Sequence, residues 1–313
     1  MTIRTLIVTW VMAIGVVPPQ LPAPREVRIG VDGASLYGRD VGRGEPLVIL
    51  HGGPDFDISY LLPDLDRLAS SYRLIYYDQR GRGQSAQGVK PEDVTLASEI
   101  ADLDKVRKHF QLETMTLVGH SWGAVLALEY ALRHPARLAR LILMNPAPAS
   151  AADLAFFRSA YVKQLGSEME QQRTIANGPS YQAADPDAVT ARYRIHFKHA
   201  LARAADYEKL MTIMHAGFVK QGSDGILKAR AVEDRLMADT WAIAGYDLLP
   251  KIRTIAVPTL VLAADHDFIP VEIAAHIAQA IPKAQLVTLK NCGHFAFMEC
   301  PAAVRAAVDA FLR

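Results

Sequence analysis

Met115-Thr116-Leu117-Val118-Gly119-His120-Ser121-Trp122-Gly123 is the stretch whose reading decides the fold. Residues 115–118 form a short apolar run. A helical pattern opens behind Gly123, covers residues 124–134 and stops at Pro135. The stretch therefore reads as strand, sharp turn and helix with Ser121 at the apex, the context in which a Gly-x-Ser-x-Gly pattern carries meaning. Its glycines leave room where a Cβ would crowd the strand or the helix. The apex side chain is lifted clear of a sheet, and the helix N-terminus behind it favours developing negative charge.

Outward from this turn, short apolar runs alternate with helical patterns. Residues 26–29 and 35–40 alternate in polarity and are joined through Asp32-Gly33, a hairpin signal. Residues 47–50 are continuously apolar, as in a strand buried on both faces, and end in His51-Gly52-Gly53-Pro54. A strand over 72–77 leads into the glycine-rich Asp78-Gln79-Arg80-Gly81-Arg82-Gly83, and 95–110 has helical spacing. Further strands are expected at 141–144, 259–263 and 285–289, with a closing amphipathic helix over 301–312 that has Pro301 in its first turn. The stretch between Pro146 and Pro258 reads as mostly helical, with helices over 151–165, 187–204, 207–219 and 229–244. The fold class is therefore α/β: a mostly parallel sheet built from residues 25–146 and 257–313, with a helical cap inserted over 147–256. Such an insertion should lie over the carboxyl edge of the strands, where ligands of open α/β sheets bind.

With 313 residues, half of them hydrophobic, the chain can bury a large core. A net charge of +1, with charges spread along the whole length, argues against a nucleic-acid partner. Residues 1–24 stand apart: Arg4, an apolar run over 5–17, then Pro18-Pro19-Gln20-Leu21-Pro22-Ala23-Pro24. This pattern suggests an export signal, with a disordered extension of a cytoplasmic protein as the alternative. The run is shorter than the ~20 residues of a spanning helix, so no stable membrane span is expected. Cys292 and Cys300, the two cysteines, are expected as free thiols, with a bridge as the alternative in an exported chain. Their spacing with His294 does not supply four convergent ligands, so no metal site is expected.

A serine hydroxyl is a poor nucleophile until a base takes its proton, and the base must be held in one tautomer. In this strand–turn–helix context the acid and the histidine should follow Ser121 in that order, at strand ends. After residues 259–263 comes Ala264-Asp265-His266-Asp267, and after 285–289 comes Lys290-Asn291-Cys292-Gly293-His294. His294, in a loop just past a strand, is the expected base. Asp265 and Asp267 are both placed to be the acid. The backbone N–H groups of Trp122 and Gly53 are the expected donors to an oxyanion. His51 and His120 flank the site and should hold its loops by hydrogen bonds.

From about Arg25 onward the sequence resembles the α/β-hydrolase superfamily. His51-Gly52-Gly53-Pro54, Asp78-Gln79-Arg80-Gly81-Arg82-Gly83-Gln84-Ser85 and Gly119-His120-Ser121-Trp122-Gly123 resemble its proline iminopeptidase branch, whose members remove N-terminal proline or other residues from short peptides. The resemblance implies that the acid stands three residues after a strand-end glycine; Ala264 takes that place here, which points to Asp267. It also implies lid carboxylates that hold the substrate's amine. Glu168, Glu170, Glu208, Glu233 and Asp234 are available, with Glu208 and Glu233 as the candidates. The chain departs from the branch at Asp55 and His120, where glycine is usual. The implied activity is a cofactor-independent serine hydrolase, working through an acyl-enzyme on small peptides. A carboxylic-ester or lactone hydrolase, or a non-catalytic ligand-binding protein of the same fold, are the alternatives.

Overall fold

Apolar runs bounded by turns become strands in the computed structural model, which describes residues 23–313. The export reading of the N-terminal segment lies outside these residues. Strands β1 (Arg25–Val31) and β2 (Ala34–Gly42) form an antiparallel hairpin through Asp32-Gly33, with Gly33 at φ +73°. Six more strands follow: β3 (Pro46–Leu50), β4 (Arg73–Tyr77), β5 (Met115–His120), β6 (Leu138–Met144), β7 (Thr259–Ala264) and β8 (Ala284–Leu289). The eight make one sheet in the order β1-β2-β4-β3-β5-β6-β7-β8, parallel from β4 to β8. Because helices cover both faces, a central strand has no polar side. Leu47 and Ile49 of β3 join the core on one face, and Val48 and Leu50 join the core on the other, all fully buried.

Helix α1 (Leu96–His109) starts at a reciprocal cap: the Thr95 hydroxyl accepts from Ser98 N–H at 3.0 Å, and Ser98 Oγ accepts from Thr95 N–H at 2.9 Å. Two buried ion pairs, Arg80–Asp102 and Arg82–Glu99, tie the loop after β4 to α1. Removing one partner of such a pair would strand the other charge in the core. Helix α2 (Trp122–Arg133) follows β5 directly and is buried along nearly its whole length.

Between β6 and β7 lie α3 (Ala151–Leu165), α4 (Glu168–Asn177), α5 (Pro179–Gln182), α6 (Pro186–His196), α7 (Ala204–Ala238) and α8 (Leu249–Ile252). The insertion differs from the sequence reading at several points, the short α5 and α8 among them. The helix expected over 187–204 ends at His196, because the backbone of residues 200–203 is taken up by the loop that carries His294. The helices expected over 207–219 and 229–244 are one element, α7, bent where Gly222 adopts φ 65°, ψ 174° and ended at Ala238. Helix α4 was not anticipated; its sequence, Glu-Met-Glu-Gln-Gln-Arg, has little apolar periodicity and only Gln172 is buried. The chain closes with α9 (Val271–Ala280), α10 (Ala296–Glu299) and α11 (Pro301–Leu312).

Cys292 and Cys300 form a disulfide, Cα–Cα 6.2 Å, which corrects the expectation of free thiols. The loop after β8 doubles back through α10 and returns residue 300 to residue 292, a juxtaposition that spacing alone does not reveal. Among the described residues no helix is long and apolar enough to cross a membrane.

Gly123 sits where α2 crosses β3: a Cβ there would lie 2.3 Å from the Leu50 carbonyl oxygen and 2.8 Å from that of His51. Gly30, on the edge strand, has nothing within 4 Å of an added Cβ. Gly123→Ala should therefore lower the unfolding free energy by about 1–3 kcal/mol in urea titrations, while Gly30→Ala stays within about 0.5 kcal/mol of the parent. Equal effects would show that the strand–helix approach is looser than described.

Candidate active site

The carboxyl ends of five strands bring the residues of the site to one edge of the sheet. β3 delivers Gly52 and Gly53, β5 delivers Ser121, β6 delivers Asn145, β7 leads to Asp267 and β8 leads to His294. Ser121 is the residue at which β5 becomes α2, and its backbone sits at φ 54°, ψ −118°, a region side-chain-bearing residues seldom adopt. Its N–H donates to Met144 O at 3.0 Å, and its carbonyl accepts from Ala124 N–H (3.0 Å) and Ala147 N–H (3.1 Å). These bonds hold the strained turn against β6.

His294 is almost wholly buried, 2 % exposed, so its orientation is set by contacts rather than by solvent. Nδ1 lies 3.0 Å from each carboxylate oxygen of Asp267. Asp267 in turn accepts from Asn145 Nδ2 and from Ile269 N–H, both at 2.8 Å. A carboxylate facing Nδ1 keeps the proton on that nitrogen and leaves Nε2 as the free base. Asp265 is exposed and lies near Lys290 and His266 instead, at 3.7 and 4.0 Å. Of the two aspartates, then, only Asp267 meets the imidazole. Ser121 and His294 line the same cavity. Among the described residues no hydrogen bond joins their side chains, a contact that in many such sites closes only with substrate bound.

Gly293 is required by the cap: a Cβ would come within 2.2 Å of the Ala200 carbonyl oxygen, which accepts the His294 N–H at 2.6 Å. The buried Glu299 carboxylate accepts from Gly293 N–H (2.6 Å) and from Ala202 and Arg203 N–H (2.7 and 3.0 Å). The histidine loop is thus fastened to the cap backbone at two points. Burial pushes the Glu299 carboxyl above the usual range, and those three N–H donors pull the other way.

A second chain of hydrogen bonds ties the remaining loops together. Gly52 N–H donates to Tyr60 Oη at 2.6 Å, Tyr60 Oη lies 2.8 Å from His120 Nδ1, and His120 Nε2 lies 2.9 Å from His294 O. Burial, and then the neighbouring His294, holds His120 far below the ordinary histidine range, so it is neutral. His51 accepts the Gln79 N–H at 3.0 Å and is likewise neutral, pulled down to about 3 by burial and then by Arg82. Gly53 lines the cavity at φ +123°, where a Cβ would strike Asp55 N at 2.3 Å. Trp122 is the first residue of α2, so its N–H has no intrahelical acceptor. Gly53 N–H, in the loop after β3, and Trp122 N–H, at the start of α2, thus lie on the two segments that flank Ser121.

The cavity, about 340 Å³, has aromatic walls that include Phe56, Phe157 and Phe268. Its polar wall includes Asp55, Arg192, Glu233 and the exposed Arg158. Asp55 accepts from Tyr193 Oη at 2.5 Å. Burial pushes the Glu233 carboxyl up to about 8, with the nearby Asp55 adding to the effect; burial raises Asp55 as well. His196, also in the wall, is pulled down to about 3 by burial and then by Arg192. Glu208, the other lid candidate, is not in the cavity. It is exposed on the first turns of α7 and makes a paired contact with Arg194, 2.9 Å at each oxygen. Glu170 and Asp234 are exposed, and Glu168 pairs with Lys198. Asn145, Arg192 and Glu299 were not singled out from sequence; only Asn145, just past β6 at the carboxyl edge, carried a positional signal.

A family model described as the alpha/beta hydrolase fold matches residues 45–301. A proline iminopeptidase of Lactobacillus helveticus is 30% identical over 276 residues, covering 85% of this chain and 90% of that protein. The esterase RhEst1 of Rhodococcus sp. ECU1013 superposes with a TM-score of 0.68 at 26% identity, over 92% of this chain and 98% of that one. The proline iminopeptidase of Mycobacterium smegmatis superposes with a TM-score of 0.66 over 92% and 97% of the two chains; at 21% identity this similarity speaks to the fold alone.

The Glu233 carboxyl makes stability depend on pH in a defined direction. Its ordinary value is 4.5 and its folded value about 8, so folding favours the protonated form. That contribution is complete below about pH 4.5 and is lost as pH rises towards 8. Glu233→Gln, which stays neutral, should gain stability relative to the parent between pH 5 and 8, read as a growing difference in urea midpoint. A difference that does not change with pH would show that the carboxyl is ionised throughout.

Proposed function

The chain belongs to the α/β-hydrolase family, and on that premise we propose that it is a serine hydrolase of the aminopeptidase type, releasing the N-terminal residue of small peptides through an acyl-enzyme. Ser121 Oγ attacks the carbonyl carbon while His294 Nε2 takes its proton. Asp267 holds the Nδ1–H and offsets the positive charge that forms on the ring. The Gly53 and Trp122 N–H groups receive the oxyanion, a contribution worth on the order of 10²–10³ in rate for each donor. His294 then gives its proton to the departing amine, the acyl-enzyme forms, and water repeats the sequence to release the free residue.

The observation that carries a peptide substrate over an ester is the pair of carboxylates, Asp55 and Glu233, in the wall of the cavity that holds Ser121. A buried ammonium must exchange its hydration for anionic partners, and these two residues supply them. An α-amine titrates near 8, close to the Glu233 carboxyl, so substrate and protein can trade one proton and end as an ion pair. The acyl group of a simple ester makes no use of either carboxylate. Export to an oxidising compartment is part of the same reading, supported by the signal-like N-terminal sequence and by the Cys292–Cys300 bridge.

Prolyl and alanyl p-nitroanilides, assayed beside p-nitrophenyl butyrate, separate the readings. Turnover of the anilides is expected, falling by a factor on the order of 10⁴–10⁶ in Ser121→Ala and by about 10⁴ in kcat in Asp267→Asn. Turnover of the ester alone, with both anilides untouched, would rule out the peptidase reading and leave an esterase.

A further inference from the structure

The polar wall holds more than an amine needs. Arg192 projects from α6 into the cavity, half-buried, its guanidinium carbon 5.5 Å from the Tyr181 ring centroid and 5.3 Å from that of Tyr193. Among the described residues it makes no hydrogen bond and no ion pair within 4 Å, although Asp55 and Glu233 stand near enough to act on its charge. Its neighbour Arg230 is committed elsewhere: the guanidinium stacks on Tyr181 at 3.8 Å and donates to the Tyr181 carbonyl at 2.8 Å. Arg194, two residues along, faces away and holds Glu208. Arg158 also lines the cavity, but from an exposed position on α3; among the described residues Arg192 is the half-buried cation of the wall with no protein acceptor within hydrogen-bond reach.

Charge balance decides what this arrangement suits. Once Glu233 has given its proton to the substrate amine, Asp55 and Glu233 are matched in charge by Arg192 and Arg230, which act on both carboxylates. A substrate that brings only an ammonium leaves the enclosed cluster with an unmatched positive charge, which a low-dielectric site penalises. A substrate end carrying an ammonium and a carboxylate together leaves the cluster balanced and gives the planar guanidinium fork the acceptor it matches.

Resting on the aminopeptidase reading, we infer that Arg192 is a specificity-determining residue that binds a carboxylate on the same residue whose amine faces Asp55 and Glu233. The favoured acyl group is an acidic amino acid, linked through its α-carboxyl or its side-chain carboxyl. In an α-linked glutamyl substrate the side-chain carboxylate meets Arg192; in a γ-linked one the α-carboxylate does. Both present the same pair of charges, and the assay tells them apart.

The test compares α-glutamyl, γ-glutamyl, alanyl and prolyl p-nitroanilides on the parent, Arg192→Met and Arg192→Lys. For the parent, kcat/KM on one of the glutamyl substrates should exceed that on the alanyl and prolyl ones by about tenfold or more, the scale of one hydrogen bond to a charged group. Arg192→Met keeps the apolar stem. It should raise KM for that glutamyl substrate by about tenfold or more and lower the alanyl value, because the unmatched positive charge is gone, whereas Arg192→Lys should retain part of the preference. A parent that prefers alanyl or prolyl substrates overturns the inference without any variant, and so does a Met variant that weakens all four alike; in both cases the peptidase reading stands. Failure on all four anilides with ester turnover intact removes the peptidase reading, and this inference with it.

Discussion

The backbone at Ser121 is the constraint around which the site is assembled. A residue with a side chain at φ 54°, ψ −118° costs on the order of 1–3 kcal/mol, and persists only where its surroundings fix it. They do so on three sides. The Met144 carbonyl at the end of β6 takes its N–H, two N–H groups close on its carbonyl, and Gly119 and Gly123 let strand and helix approach without a Cβ between them. Gly119 has Gly123 O within 2.4 Å of where a Cβ would stand. The result lifts one hydroxyl to the rim of the sheet at the start of a helix whose first N–H groups are free.

His294 is positioned by a different device. The histidine loop has little regular structure of its own, and three contacts substitute for it. The disulfide closes it at Cys292 and Cys300, the Glu299 carboxylate binds Gly293, and the cap carbonyl of Ala200 takes the His294 N–H. Since Glu299 and Ala200 also bind or belong to the turn between α6 and α7, cap and histidine are mechanically one unit. The cap is then more than a cover: it supplies Arg192 and Glu233 to the cavity wall and helps to hold His294 in place.

How much of this the sequence disclosed depends on whether the deciding interaction is local. The turn at Ser121 is local, with glycine spacing, apolar strand and helix start all within twenty residues, and so it was readable. That Ser121, Asp267 and His294 come just past β5, β7 and β8, at one edge of the sheet, follows from the connectivity of parallel strands and was readable too. The choice between Asp265 and Asp267 needed a resemblance, since both are turn aspartates with the same local features and only the packing of the loop against Asn145 separates them. The cap residues were least legible. Arg192 and Arg194 lie two apart on α6 and therefore on opposite sides of it, one facing the cavity and one facing Glu208, yet nothing in composition marks which is which. Glu208 and Glu233 share α7, yet Glu208 is exposed beside Arg194 while Glu233, beyond the bend at Gly222, lines the cavity. The disulfide was missed because it depends on a return of the chain through α10 that spacing does not announce.

In a crystal structure of the protein inactivated by an aminoalkyl diphenyl phosphonate, the tetrahedral phosphorus stands in for the attacked carbonyl carbon and the acyl-transfer account is put to the proof. The account predicts a single bond from phosphorus to Ser121 Oγ and a phosphoryl oxygen at about 2.7–3.1 Å from the Gly53 and Trp122 nitrogens. It also predicts His294 Nε2 within hydrogen-bond reach of Ser121 Oγ, with Nδ1 still on Asp267. Phosphorus on another residue, or on Ser121 with its oxygen turned away from both N–H groups and the imidazole out of reach, would contradict it.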